Sequence, residues 1–148
     1  MAVRLAEYLE SGVYVRNTSA YDRAAFAQTL ASTAAALPAD DLDLLDRYLV
    51  QGVPTRVLAA ERSVSARTVS RRIRALLHRI SSPTYLFFLQ SSETLPRRDR
   101  NIGYELFCRG ASLRECAAKL DITVHRVRTA RQRILTMARV ARNKGVAA

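Results

Sequence analysis

Three observations predict an all-α fold for this 148-residue chain. Apolar residues recur at helical spacing, and no stretch sustains the apolar–polar alternation of a strand. One pattern of helix starts and stops also occurs twice, 58 residues apart. The predicted architecture is two tandem tri-helical helix-turn-helix modules, preceded by an N-terminal helical segment. The segment covers 1–36, the first module 37–80, a connecting helix 81–94, the second module 95–142, and a tail 143–148.

Residues 1–36 read as two helices, VRLAEYLE and AYDRAAFAQTLASTAAAL, joined by the polar Asn17-Thr18-Ser19. The second carries Tyr21, Phe26 and Leu30 with a run of alanines. It is expected to cover the first module's core in preference to forming a subunit interface. Within the first module, Pro38 opens a helix with Leu42, Leu45, Tyr48 and Leu49 on one face, and Gly52 ends it. Pro54 starts the short helix PTRVLAAER, and Ser63-Val64-Ser65 makes a turn. Ser65 then caps a helix over Ala66–Ile80. Between the modules, Ser82-Pro83 starts TYLFFLQ and Ser91-Ser92 ends it. That segment is too apolar for a free linker and is expected to pack between the modules.

The second module repeats the first. A shift of 58 puts Leu37-Pro38 on Leu95-Pro96, Gly52 on Gly110 and Ala59-Ala60 on Ala117-Ala118. It also aligns Val64 with Ile122, Ser65 with Thr123, Val69 with Val127, and Leu76-Leu77 with Ile134-Leu135. Ser112-x-x-Glu115 is a capping-box pattern for the second short helix. Thr123 caps a last helix running from 124 to about 142. In each copy a small residue, Ala59 or Ala117, marks where two helices cross closely, and Val64 or Ile122 is expected to plug the turn. Val69, Ile73, Leu76 and Ile80 fall within about 60° of one another at ~100° per residue. Arg67, Arg71, Arg74 and His78 form a stripe roughly opposite. One position breaks the pattern: Arg131 stands where the first copy has the apolar Ile73. Ala130 and Met137 are candidates to shift the buried arc around the helix.

Charge follows the same repeat. The 24 basic residues include only two lysines, Lys119 and Lys144, and the formal net charge is +11. Residues 61–80 hold six basic and one acidic side chain, and residues 121–148 hold seven and one. These two blocks, at equivalent places in the two copies, carry the whole net charge. Arginine's planar fork suits phosphates and guanine edges, so an acidic partner, double-stranded DNA, is expected.

The composition excludes several classes. Two cysteines, Cys108 and Cys116, cannot build a disulfide scaffold, and they are expected to be small core residues. Neither they nor the two histidines have zinc-site spacing, so no metal and no cofactor are expected. No apolar run approaches the ~20 residues of a membrane span, and no signal peptide is recognised. No Gly-rich phosphate loop, nucleophile elbow or paired-carboxylate site occurs, so no catalytic residue is assigned and an enzyme is not expected. A soluble cytoplasmic protein, monomer or homodimer, is the expectation.

The run LPADDLDLLDRYLVQG with LAAERSVSARTVSRRIRALLHRI resembles region 4 of alternative bacterial sigma factors and LuxR-type DNA-binding domains. The second copy, SLRECAAKLDITVHRVRTARQRIL, resembles the primary-sigma form of region 4. Shorter plasmid and fimbrial-operon regulators share the pattern around Tyr48-Leu49-x-x-Gly52. The resemblance implies a sequence-specific bacterial or phage transcriptional regulator, associated with the nucleoid, that reads duplex DNA. It places the DNA-reading positions at Ser65, Arg67, Ser70, Arg71 and Arg74 in the first copy. In the second copy they fall on Thr123, His125, Arg126, Arg128, Thr129 and Gln132. Because the sets differ, the copies are expected to read different half-sites. Nothing resembles the sigma region that melts promoter DNA, so a self-sufficient sigma factor is not expected. The alternatives are an RNA polymerase-binding transcription modulator and an architectural or phage-type DNA-binding protein.

Overall fold

The computed structural model describes residues 20–146, and the chain divides into two compact units, Met1–Ser81 and Ser82–Ala148. In the first unit, α1 spans Ala20–Thr33, and α2, Ala39–Leu45, runs on into a π-helical turn at Asp46–Val50. The short α3, Thr55–Glu61, is followed by α4, Ala66–Ile80. The second unit holds α5, Pro83–Ser91, a 3₁₀ turn at Ser92–Thr94, and α6, Arg97–Gly103, which runs into a π-helical turn at Tyr104–Cys108. Then come α7, Leu113–Leu120, and α8, Val124–Val146. The fold is all-α, with no strand among the described residues. None of the described helices is long and apolar enough to cross a membrane. The expected helix VRLAEYLE lies outside the described residues.

The 58-residue period holds in the backbone and reaches further than the sequence pattern. α2 and α6, the two π turns, and the starts of α4 and α8 are each offset by 58. So are the ends of α1 and α5, at Thr33 and Ser91. The expected N-terminal segment and connecting helix are therefore one element present twice. α1 packs on the first π turn and α5 on the second. α5 also lies along α8, and its Tyr85 and Phe88 are buried. Among the described residues, one further helix thus precedes the three of each module.

Helix ends follow local chemistry. Ser65 Oγ accepts the Thr68 N–H at 3.1 Å, and Ser82 Oγ accepts the Tyr85 N–H at 3.1 Å. At α7 the full capping box forms: Ser112 Oγ accepts the Glu115 N–H at 3.2 Å, and the Ser112 N–H donates to Glu115 at 2.7 Å. The Gln51 N–H donates to the Asp46 carbonyl and the Arg109 N–H to the Tyr104 carbonyl, both at 3.1 Å across five residues. These widened turns close at Gly52 and Gly110, whose φ values of 70° and 71° favour glycine. α3 and α7 end through left-handed Ser63 and Asp121, with φ of 55° and 51°. Val64 N–H then reaches the Ala59 carbonyl at 3.1 Å, and Ile122 N–H the Ala117 carbonyl at 3.0 Å. This bond and the one from the left-handed residue itself make a Schellman cap.

Equivalent positions fill the two cores. Leu44 and Ile102, Leu58 and Cys116, Ala59 and Ala117, Val69 and Val127, and Leu76 and Ile134 are buried in both copies. One pair exchanges volume. The first copy has buried Leu30 and Leu45; the second has Phe88 and Gly103 at those places. A Cβ on Gly103 would lie 2.9 Å from Phe88 Cδ2, so the ring occupies space that a side chain at 103 would need. Two expectations need correction, those for Val64 and Met137. Val64 does not plug its turn but is 43% exposed, although Ile122 does pack against the second core. Arg131 is exposed, because α8 buries Val127, Ala130, Ile134 and Ala138 along a rotated arc. Met137, at 37% exposed, is not part of that arc.

One ion pair is repeated with its charges exchanged. Arg47, in the first π turn, bonds both carboxylate oxygens of Glu61 at the end of α3. Offset by 58, Glu105 takes Lys119 Nζ at 2.8 Å. Glu105 is buried, so Glu105→Arg alone sets a cation against Lys119. It is expected to lower stability by about 2–4 kcal/mol. Adding Lys119→Glu should recover part of that loss in a urea-unfolding double-mutant cycle, Arg109, 3.6 Å from Glu105, still facing the new cation, whereas two additive losses would contradict the pairing. Separately, Ser63→Gly should raise stability by about 0.5–1 kcal/mol, because glycine is free of the left-handed penalty. Thermal or urea unfolding reads this directly.

Candidate nucleic-acid interface

The first candidate surface is the outward face of α4. The buried positions Val69, Ile73, Leu76, Leu77 and Ile80 turn that helix's apolar side inward. Arg67, Arg71, Arg74 and His78 are all exposed on the other side. Ser70, beside the stripe, is half-buried, and Ser65 is exposed at the N-cap. The Ser65 oxygen is engaged with both the backbone N–H and the hydroxyl of Thr68, the latter at 2.8 Å. Its place at the helix start is fixed by that bond.

A buried carboxylate decides which arginines remain available. Asp41, in the first turn of α2, is only 6% exposed. Arg72 Nε and a terminal nitrogen donate to it at 2.9 and 2.6 Å, and Arg79 lies 3.9 Å away. A carboxylate so far from water needs such partners. Two of the five arginines on α4 are thus tied inward. Among the described residues Arg67, Arg71 and Arg74 enter no ion pair, so three guanidiniums on one stripe face solvent.

The second copy repeats the device one turn later. Asp99, equivalent to Asp41 and also buried, takes Arg133 of α8. Arg126, Arg128 and Arg131 are exposed and outside any ion pair among the described residues. The positions equivalent to the α4 stripe carry His125, Thr129, Gln132 and Thr136, all exposed. Thr123 Oγ1 accepts the Arg126 N–H at 3.3 Å, and Thr129 donates its hydroxyl to the His125 carbonyl at 3.0 Å. A shallow, open concavity of about 560 Å³ runs along this face, bordered by His125, Arg128, Thr129 and Gln132.

The structure thus brings Arg67, Arg71 and Arg74, with the Ser65 cap, to one face of α4. It brings His125, Thr129 and Gln132 to one face of α8, with Arg126 and Arg128 on opposite sides of it. Sequence reasoning passed over Arg56 and Arg114, both exposed at the second residue of α3 and α7 and 58 apart. The repeat itself held that signal. It also passed over the identical Asp41 and Asp99, each three residues after a Leu-Pro pair's proline. α8 runs past its expected end at about 142 to Val146, carrying exposed Arg139, Arg142 and Lys144.

Among the described residues no three His, Cys, Asp or Glu side chains group to hold a metal ion. Cys108 and Cys116 are buried and are not joined in a disulfide. Burial, then the charge of Glu105, pushes the Cys116 thiol above its ordinary value, which disfavours the reactive thiolate.

The backbone N–H of Ser112 holds the Glu115 carboxyl below its ordinary value of 4.5, and the Ser112 hydroxyl adds to the effect. A carboxyl whose folded value is depressed stabilises the fold above its unfolded value. That contribution fades as pH falls through the folded value. The wild type should therefore show a component of stability loss as pH drops below about 4.5 that Glu115→Gln lacks; parallel pH profiles would refute the cap's role. No protein-family model, curated protein or solved structure matches this chain.

Proposed function

We propose that the chain is a sequence-specific, double-stranded-DNA-binding transcriptional regulator. It presents α4 and α8 as two unequal recognition helices to the major groove. The observation that carries this reading is the stripe Arg67, Arg71 and Arg74. Three guanidiniums stand on one exposed face of a helix whose opposite face is core, while its remaining arginines are bound to a buried carboxylate. A solvated helix face gains nothing from such alignment, since like charges at i, i+4 repel. An anionic groove offsets that repulsion. The short helix, tight left-handed turn and longer helix that precede and include each face suit a helix-turn-helix.

The reading makes a measurable demand on salt. If the stripes and their flanking cations neutralise phosphates, the logarithm of affinity should fall linearly with the logarithm of salt concentration. The slope should be about −0.9 per phosphate contacted. Fluorescence anisotropy with labelled duplexes across a salt series tests it, and selection from a random duplex pool tests specificity. A preferred sequence bound at least ~10³-fold better than random duplex is expected. A flat salt response would overturn the nucleic-acid reading. Equal binding to all duplexes would point to an architectural role, and capture of RNA polymerase without DNA to a polymerase modulator.

A further inference from the structure

We infer that the two modules divide the work of recognition: α4 reads guanines through an arginine centre, and α8 reads an A·T-containing half-site through an arginine-free polar centre flanked by phosphate-binding arginines. This rests on the DNA-binding reading above and goes beyond it by assigning a base class to each half.

The argument starts from equivalent positions. The α4 stripe is Arg67, Arg71, Arg74 and His78; 58 residues on, the α8 stripe is His125, Thr129, Gln132 and Thr136. Not one residue is retained. Over the stretch equivalent to α4, residues 124–138, α8 nevertheless has as many exposed arginines without an ion pair among the described residues as α4 has, three each, so the cations have moved and not vanished. On α8 they stand at Arg126, Arg128 and Arg131, where α4 carries Thr68, Ser70 and Ile73. With ~100° per residue, Arg126 lies about 100° to one side of His125, and Arg128 and Arg131 lie about 60° and 120° to the other. Arginines therefore border on both sides a strip that holds no arginine or lysine.

A helix in the major groove turns its central strip to base edges and its flanks to the two phosphate walls. On α8 the strip offers the free amide of Gln132, which can bond adenine N6 and N7 together. Thr129 has committed its hydroxyl proton to the His125 carbonyl, so it presents a lone pair and a methyl, a fit for adenine N6 and the thymine methyl. On α4 the strip offers only forked guanidiniums and an imidazole. Arginine pairs bidentately with guanine O6 and N7, and the neutral flanks Thr68 and Ser70 leave α4 few phosphate cations of its own.

The test uses the full chain and a random duplex pool, followed by Arg71→Ala, Gln132→Ala and Arg128→Ala. All three residues are exposed, so the fold is not at issue. The selected site should have two unlike halves, one marked by guanines and one by an A·T pair. Arg71→Ala should relax choice at a guanine, and Gln132→Ala at the A·T pair, each by about 5- to 150-fold, with the salt slope of Gln132→Ala unchanged. Arg128→Ala should weaken all sequences alike and reduce the slope by about 0.9. Halves with the same base preference would overturn the division, as would Arg128→Ala changing which base is chosen while Gln132→Ala does not. A chain that binds duplexes but gives either result keeps the parent reading and loses this one. A chain that binds no duplex loses both.

Discussion

The architecture of each copy depends on one buried carboxylate. Asp41 and Asp99 sit in the first turn after a Leu-Pro pair and are almost wholly out of water. Left alone, a buried carboxylate would cost several kcal/mol. Each instead takes an arginine from the longest helix of its unit, Arg72 from α4 and Arg133 from α8. That bond ties the first helix of the core to the last and sets the rotation of the latter about its axis. The rotation in turn decides which side chains face inward and which arginines are left for a partner. The interaction that stabilises the fold thus also selects the exposed face.

The same constraint accounts for the main difference between the copies. Arg133 corresponds to Ala75, not Arg72, so the anchor has moved along the helix by three residues, close to one turn. The place opposite Arg72 holds Ala130, which is buried in the second core with Ile102, Cys116 and Val127. Moving the anchor lets a small apolar residue enter the core at 130 and carries Arg131 out to solvent, where Ile73 is buried in the first copy. α5 lying along α8 belongs to the same rearrangement. An arginine that looks misplaced on a helical wheel is in register once the wheel is turned.

Features encoded locally were legible in the sequence. Ser65, Ser82, Ser112 and Thr123 cap helices because their side-chain oxygens reach an N–H three residues on, and Gly52 and Gly110 stop helices because their φ is positive. The apolar arc and cationic stripe of α4 followed from its period. The π turns were not legible, since a fifth-residue hydrogen bond leaves no residue signature and only delays the glycine stop by one position. Nor was the Arg47–Glu61 pair, 14 residues apart on different helices, or its reversal at Glu105 and Lys119. Those depend on how helices meet. The equivalence of α1 and α5 was hidden because packing keeps their position and not their residues: Leu30 and Phe88 share a place, with Leu45 and Gly103 adjusting beneath.

Duplication also sorts the residues by what constrains them. Buried pairs change within the apolar class, as Leu44 and Ile102 or Val69 and Val127 do, or exchange volume, as Leu45 and Gly103 do. Backbone-determining positions hold their chemistry: two glycines at the helix stops, two hydroxyl caps before the long helices, two buried aspartates. The exposed stripes of α4 and α8 obey a third rule. All four positions differ, yet none becomes apolar and none becomes acidic. A surface constrained only by solubility accepts glutamate or aspartate as readily as arginine. Acidic side chains are abundant elsewhere in the first unit, at Asp40, Asp41, Asp43 and Asp46, but absent from both stripes. Freedom to change chemistry without taking negative charge is what the proposed DNA-binding role would impose on such a face.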